Sequence, residues 1–234
     1  MNTNSVDIPS IRAIVFDLDN TLVDRDGAVR RLLSRWAAAA SLEPELLQTI
    51  FAVDKGGYGD RKAYYQLLHR HLPHGDTELA TLAAYRRELQ REIKPFPGVS
   101  NTLECLTQHY VLALLSNGDP EHQREKLRQS GLGGLFLPVR ILITGDIDSR
   151  KPDPAVYHTI QRMLGVPMRS ILHVGDQWEA DVLGPSALGM QTCWVSGSSE
   201  RKSEYLPNHT AVAGIPELPG VLEIKPDKQE CCHA

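Results

Sequence analysis

The sequence predicts an α/β protein: a doubly wound parallel sheet with a four-helix unit inserted into it. Two observations carry this. Five short apolar runs, near residues 11–16, 111–116, 139–144, 171–175 and 192–196, alternate with helix-like stretches, as expected for strands covered on both faces of a parallel sheet. From about Asp24 to Lys94 the alternation stops, and apolar residues recur only at helical spacing. The expected division is therefore an α/β core of residues 1–23 and 95–234 and a helical unit of residues 24–94.

The first run, Ile11-Arg12-Ala13-Ile14-Val15-Phe16, ends in Asp17-Leu18-Asp19-Asn20-Thr21. Residues at i and i+2 share a strand face, so Asp17 and Asp19 emerge together at the carboxyl end, where α/β sheets bind ligands. Two acids so close need a cation between them or a retained proton.

Within the insert, four helices are expected. They carry the stripes Ala28, Leu32, Leu33, Trp36, Ala37 and Ala40, then Leu46, Leu47, Ile50 and Phe51, then Tyr64, Leu67, Leu68 and His71, and last Leu79, Leu82, Ala83 and Leu89. Antiparallel packing buries such stripes against one another, with Trp36 and Phe51 in the bundle core. The histidines His69, His71 and His74 fit a solvated face. The loop Asp54-Lys55-Gly56-Gly57-Tyr58-Gly59-Asp60-Arg61 joins the second and third helices, with Asp60 placed to cap the third. Two connections, Leu22–Asp26 and Pro95-Phe96-Pro97-Gly98, would let the insert move as a lid.

The second strand run ends in Ser116-Asn117-Gly118, a hydroxyl, an amide and a permissive glycine able to direct donors at an anion. After the third comes Lys151-Pro152-Asp153-Pro154, where Pro152 biases Lys151 to an extended backbone and Pro154 suits the first turn of a helix. The fourth run, Ile171-Leu172-His173-Val174, ends in Gly175-Asp176, with Asp181 five residues on, so a helix starting there brings both acids to its amino end. Capping accounts for either of these two aspartates singly. It does not account for strand-end acids, a strand-end serine and a pre-proline lysine in this order.

The four motifs, Asp17 to Thr21, Ser116-Asn117-Gly118, Lys151 to Pro154 and Gly175-Asp176 through Asp181, closely resemble those of the haloacid dehalogenase-like hydrolase superfamily. The resemblance is to its phosphatase branch with a helical (C1-type) cap after the first motif and a Rossmann-like core, and it spans about Ile11 to Glu217. It implies that Asp17 attacks phosphorus to form an aspartyl-phosphate, while Asp19 protonates the leaving alcohol and then activates water. Ser116, Asn117 and Lys151 would hold the phosphoryl group. Mg²⁺ would be bound by the Asp17 and Asp176 carboxylates and the Asp19 carbonyl, with Asp181 either a direct or water-mediated ligand or the group that orients Lys151. In similar capped phosphatases the loop at 54–61 reaches the core site, so Lys55, Tyr58 and Arg61 are candidates for substrate choice, against the plainer role of a helix connection. The chain departs from the family at Pro185, where a small residue is usual, a change expected to touch only local packing.

The implied substrate is a small soluble phosphomonoester such as a sugar phosphate, nucleoside monophosphate or phosphorylated acid. A phosphomutase of the same superfamily is the close alternative. Asp19 argues against the dehalogenase branch, which lacks that second acid. The insert and Asp19 disfavour a phospho-accepting receiver-like module, and the filled chemical positions give no support to a silent binding module.

A net charge of −4 and pI near 6.1 offer no general attraction to nucleic acid or an acidic membrane. The sequence contains no apolar run of the roughly 18 residues of a membrane span, and the polar start Met1-Asn2-Thr3-Asn4-Ser5 lacks secretory features, so a cytoplasmic protein is expected. Cys105 and Cys193 lie in apolar elements and Cys231-Cys232 in a polar tail, a distribution that suggests reduced thiols. His173 reads as a satisfied core residue and Trp178 as a packing residue.

Overall fold

The computed structural model describes residues 6–197 and 206–224. It divides into two compact units, one of Met1–Val23 with Pro95–Ala234 and one of Asp24–Lys94. The start Met1 to Ser5, the pair Cys231-Cys232 and most of the tail beyond Glu223 lie outside the described residues.

The first unit is built on six parallel strands: β1 (Ala13–Phe16), β2 (Val111–Ser116), β3 (Ile141–Ile143), β4 (Ile171–Gly175), β5 (Gln191–Val195) and β6 (His209–Val212). Their order is β3-β2-β1-β4-β5-β6. β1 is fully buried, so it needs apolar side chains on both faces, which is why its run does not alternate. Chain order reverses direction across the sheet at β1, and the crevice of a doubly wound fold opens at such a switch point. Register aligns the three central strand ends: Phe16 faces Leu114 of β2 and Val174 of β4. Asp17, Ser116 and Asp176 leave the sheet side by side for that reason.

Two strand expectations change. The third is shorter than 139–144, because Pro138 begins a 3₁₀ turn through Arg140 and pairing starts only at Ile141. The sheet also has a sixth strand, β6, which the apolar-run pattern missed. It is a four-residue edge strand with two half-buried central positions, too short and mixed to show a pattern.

In the second unit, helices α1 (Arg25–Ala40), α2 (Pro44–Asp54), α3 (Arg61–His71) and α4 (Glu78–Glu92) bury Leu32, Leu33, Trp36, Ile50, Tyr64, Leu68 and Tyr85 against one another. Asp24, Asp60 and Thr77 cap α1, α3 and α4 through their side chains. Trp36 is in the core and donates to Glu88, whereas Phe51 is only partly buried against it. The histidines correct the expectation of a solvated face. His74 stacks on Trp36 with ring centroids 3.5 Å apart, and His69 pairs with the Thr81 hydroxyl at 2.9 Å.

The sheet unit adds α5 (Val99–Thr107), α6 (Pro120–Gln129) and α7 (Pro154–Leu164), the last two opening on a proline behind an aspartate cap. Among the described residues no helix is long and apolar enough to cross a membrane. Cys193 is buried and Cys105 half-buried.

Candidate active site

Asp17 is 2 % exposed at the end of β1, and its Oδ1 accepts from Lys151 Nζ at 2.7 Å. Its Oδ2 is buried with no hydrogen-bond partner among the described residues. Lys151 donates equally to Asp181 Oδ1, at 2.7 Å. Both carboxylates and the ammonium are buried, so the contacts act with little screening, and Lys151 is held charged above its ordinary range.

Oxygens of Asp17, Asp176 and Asp181 all lie within 4.8 Å of one another. Burial, then the charges of Asp181 and Asp19, push Asp17 up to about 7 against the pull of Lys151. Burial, then Asp17 and Asp181, push Asp176 up to about 8. Burial raises Asp181 too, but Lys151 and His173 hold it down at about 2.

That difference has a geometric source. Asp181 Oδ1 accepts from Lys151 and faces His173 Nε2 at 3.1 Å, while Oδ2 accepts from the Gln177 backbone N–H at 3.0 Å. His173 is fully buried, its Nδ1 has no partner among the described residues, and burial lowers its pKa, so a neutral ring with its proton on Nε2 fits. The expectation of a core histidine stands, with a polar contact at the site added.

Asp181 comes this close because residue 175 is glycine. A Cβ there would stand 2.3 Å from Asp181 Cγ. Asp181 also lies in a π-helical turn, Trp178–Leu183, rather than at the amino end of an ordinary α-helix. Pro185 supplies a reason. It has no N–H for the Asp181 carbonyl, and its ring would crowd that carbonyl in α geometry, so the turn widens. Gly184 N–H accordingly bonds Glu179 O, five residues back. The Pro185 departure thus shapes the segment that carries Asp181, which corrects the expectation that it touches only packing beyond the site.

Asn117 uses its side chain on the backbone of Lys151: Oδ1 accepts from Lys151 N at 2.9 Å and Nδ2 donates to Lys151 O at 3.1 Å. Thr144 also donates to Asn117 Oδ1. The Asn117 side chain therefore places Lys151. Ser116 Oγ, buried at the end of β2, accepts from Gln123 Nε2 at 2.7 Å.

The Asp19 carboxylate takes different partners from the other acids. Lys126 Nζ lies 2.6 Å from each of its oxygens, and Gln123 Nε2 donates to Oδ2 at 3.0 Å. Gln123, Lys126 and Leu127 form the buried stripe of α6. Sequence reasoning missed the first two; the available signal was helical spacing of polar residues just after Ser116-Asn117-Gly118, and polar stripes usually face water. Also unforeseen are Thr21, which donates to Asp176 Oδ1 at 3.4 Å, and Trp194, whose Nε1 donates to Asp176 O at 2.8 Å. Trp178 packs edge-on against Trp194, as expected of a packing residue.

The loop of the helical unit is closely tied within that unit. Asp54, itself buried, accepts from both terminal nitrogens of Arg25 and from Arg61 at 2.8 Å. Arg61 lies over the Tyr64 ring at 4.5 Å, and Asp60 caps α3. Gly59 is required by close approach, since a Cβ would fall 1.8 Å from Val53 O. Tyr58 is exposed and Lys55 takes a left-handed backbone at the end of α2.

A family model for haloacid dehalogenase-like hydrolases matches residues 11–189. The chain belongs to the haloacid dehalogenase-like hydrolases. Among relatives of this hydrolase, the glyceraldehyde 3-phosphate phosphatase of Methanopyrus kandleri is 28 % identical over 194 residues, covering 78 % of this chain and 82 % of the relative. Human N-acylneuraminate-9-phosphatase is 27 % identical over 254 residues, covering 91 % and 94 %. The magnesium-bound HAD-hydrolase YfnB of Bacillus subtilis superposes with a TM-score of 0.75 at 23 % identity, over 92 % of this chain and 99 % of that one, a likeness of fold.

Proposed function

We propose that this hydrolase is a Mg²⁺-dependent phosphatase of small phosphomonoesters that works through an aspartyl-phosphate on Asp17. That it is a phosphoric monoester hydrolase rests on its family and on the phosphatases among its relatives. One observation carries the mechanism: a buried Asp17 has one oxygen on Lys151 and the other unpartnered, beside two more carboxylates.

The donor set fits a hard divalent cation. It offers carboxylate oxygens without a thiol, and three carboxylates against one ammonium leave two negative charges to balance. Asp17, Asp176 and the Asp19 carbonyl would hold the ion, and the three donors already on Asp181 favour the reading in which Asp181 orients Lys151. Mg²⁺ bound there supplies relief of carboxylate repulsion and draws charge from phosphoryl oxygens.

In the first step the unpartnered oxygen of Asp17 attacks phosphorus, the bond to the leaving oxygen breaks, and Asp19 gives that oxygen a proton. In the second, Asp19 takes a proton from the water that attacks the phosphoryl group, and Asp17 is released. Lys151 and Ser116 bind the equatorial oxygens as charge moves. The family's dehalogenase chemistry has no leaving oxygen to protonate, so Asp19 favours phosphate.

The test is hydrolysis by Asp17→Asn, with mass spectrometry of wild-type protein quenched during turnover. Loss of turnover in the variant, an adduct on Asp17 in the wild type, and loss of activity with chelator that Mg²⁺ restores are expected. An adduct on another residue, or full activity in metal-free protein, refutes it.

A further inference from the structure

Lys126 belongs to none of the four motifs, yet it holds both oxygens of the residue placed to serve the leaving group. Its side chain is 11 % exposed and that of Asp19 20 %, so the pair sits largely out of water. Such a pair is a poor device for stability, because apolar residues of similar volume hold a fold as well without the desolvation cost. Gln123 completes the arrangement, its Nε2 lying within hydrogen-bond distance of Asp19 Oδ2, Ser116 Oγ and Asn117 O.

In this arrangement both oxygens of Asp19 are engaged. A leaving-group oxygen that exchanges a proton with Asp19 competes with Lys126 for the same carboxylate, and a carboxylate that turns to it leaves the ammonium in a site with little water. An anion delivered by the substrate restores the balance at that moment. It must sit on the alcohol portion, since Asp19 serves that side and the phosphoryl group is met by Lys151 and Ser116.

We propose that Lys126 is a specificity-determining residue that exchanges Asp19 for a second anionic group on the substrate, so that the preferred phosphomonoesters are those whose alcohol bears a carboxylate or a further phosphate. The proposal rests on the phosphatase reading above and names the substrate class for it.

The test compares kcat/KM with Mg²⁺ for three matched esters: 3-phosphooxypropanoate, propane-1,3-diol bisphosphate and neutral-tailed 3-hydroxypropyl phosphate. Wild type is expected to favour at least one acid-bearing ester, and which one distinguishes carboxylate from phosphate. In Lys126→Met the ratio of acid-bearing to neutral ester should fall about 10- to 100-fold, the worth of one charge-assisted hydrogen bond. Lys126→Arg should retain most of the ratio. Using a ratio cancels any general loss from a disturbed Asp19 or a less stable fold. A wild type indifferent to the second anion, or a ratio unchanged in Lys126→Met, overturns the proposal while leaving the phosphatase reading intact. Hydrolysis of none of the three, nor of an activated aryl phosphate, overturns the phosphatase reading and the proposal with it.

Discussion

Gly175→Ala is the sharpest test of how the site is held together, because it adds one methyl group and touches no reacting atom. The new Cβ would fall 2.3 Å from Asp181 Cγ, 2.4 Å from Oδ2 and 2.6 Å from Cβ. Ordinary carbon contacts need about 3.5–4.0 Å, so the two atoms must separate by about 1 Å or more. Rotating the Asp181 side chain does not relieve this, since its own Cβ is among the clashing atoms. The π-helical turn must move instead. Displacement pulls Asp181 from Lys151, His173 and the Gln177 N–H, all buried or half-buried. Disrupting a buried charged pair costs about 3–5 kcal/mol, and misplacing Lys151 by about 1 Å should lower turnover by about 100-fold. Urea unfolding followed by circular dichroism reads the first and steady-state hydrolysis the second. Gly134→Ala is the control, because nothing lies within 4 Å of its added Cβ; it should be neutral or up to about 1 kcal/mol more stable. If Gly175→Ala loses under about 1 kcal/mol and keeps wild-type turnover, the claim that glycine admits Asp181 is wrong.

The metal-free protein should lose stability as pH rises from about 4 to about 8. Asp17 and Asp176 titrate near 7 and 8 in the fold, above the ordinary carboxylate value, so the folded state holds protons that the unfolded state has released. The slope is at most about 1.4 kcal/mol per pH unit for each group. Asp181, held at about 2, acts in the opposite sense, but only below about pH 4. Melting temperatures in chelator should therefore fall across this window and flatten in excess Mg²⁺; a rise in chelator contradicts the assignment. In the helical unit, Arg61→Ala should cost about 1–2 kcal/mol through its contact with Asp54, discounted because Arg61 is about one-third exposed. Tyr58→Ala and Lys55→Met should stay within about 0.5 kcal/mol and reorder a substrate panel; equal changes on every substrate would make the loop a plain helix connection.

Much of the fold was legible because its signals are local. A strand buried on both faces is mostly apolar, so Ala13–Phe16 and, His173 apart, Ile171–Gly175 declare themselves in five residues or fewer. Parallel strands bring their carboxyl ends to one edge, and residues following separate apolar runs are neighbours in consequence. Asp17, Ser116 and Asp176 needed nothing more to be grouped. The helix start at Pro154 follows from proline's fixed φ.

What the sequence by itself determined is therefore the order of elements, the strand ends that carry chemistry and the residue types gathered there. Only the tertiary structure decided which polar group meets which. Lys126 finds Asp19 across 107 residues, Asn117 finds the Lys151 backbone across 34, and Lys151 finds Asp17 across 134. No periodicity encodes such pairs, because they depend on how whole elements stack. Burial was decided at the same level: three similar aspartates separate to about 7, 8 and 2 according to the donors each meets once water is removed. Desolvation and long-range hydrogen bonding are properties of the assembled site, whereas apolar patterning and turn chemistry belong to the chain itself.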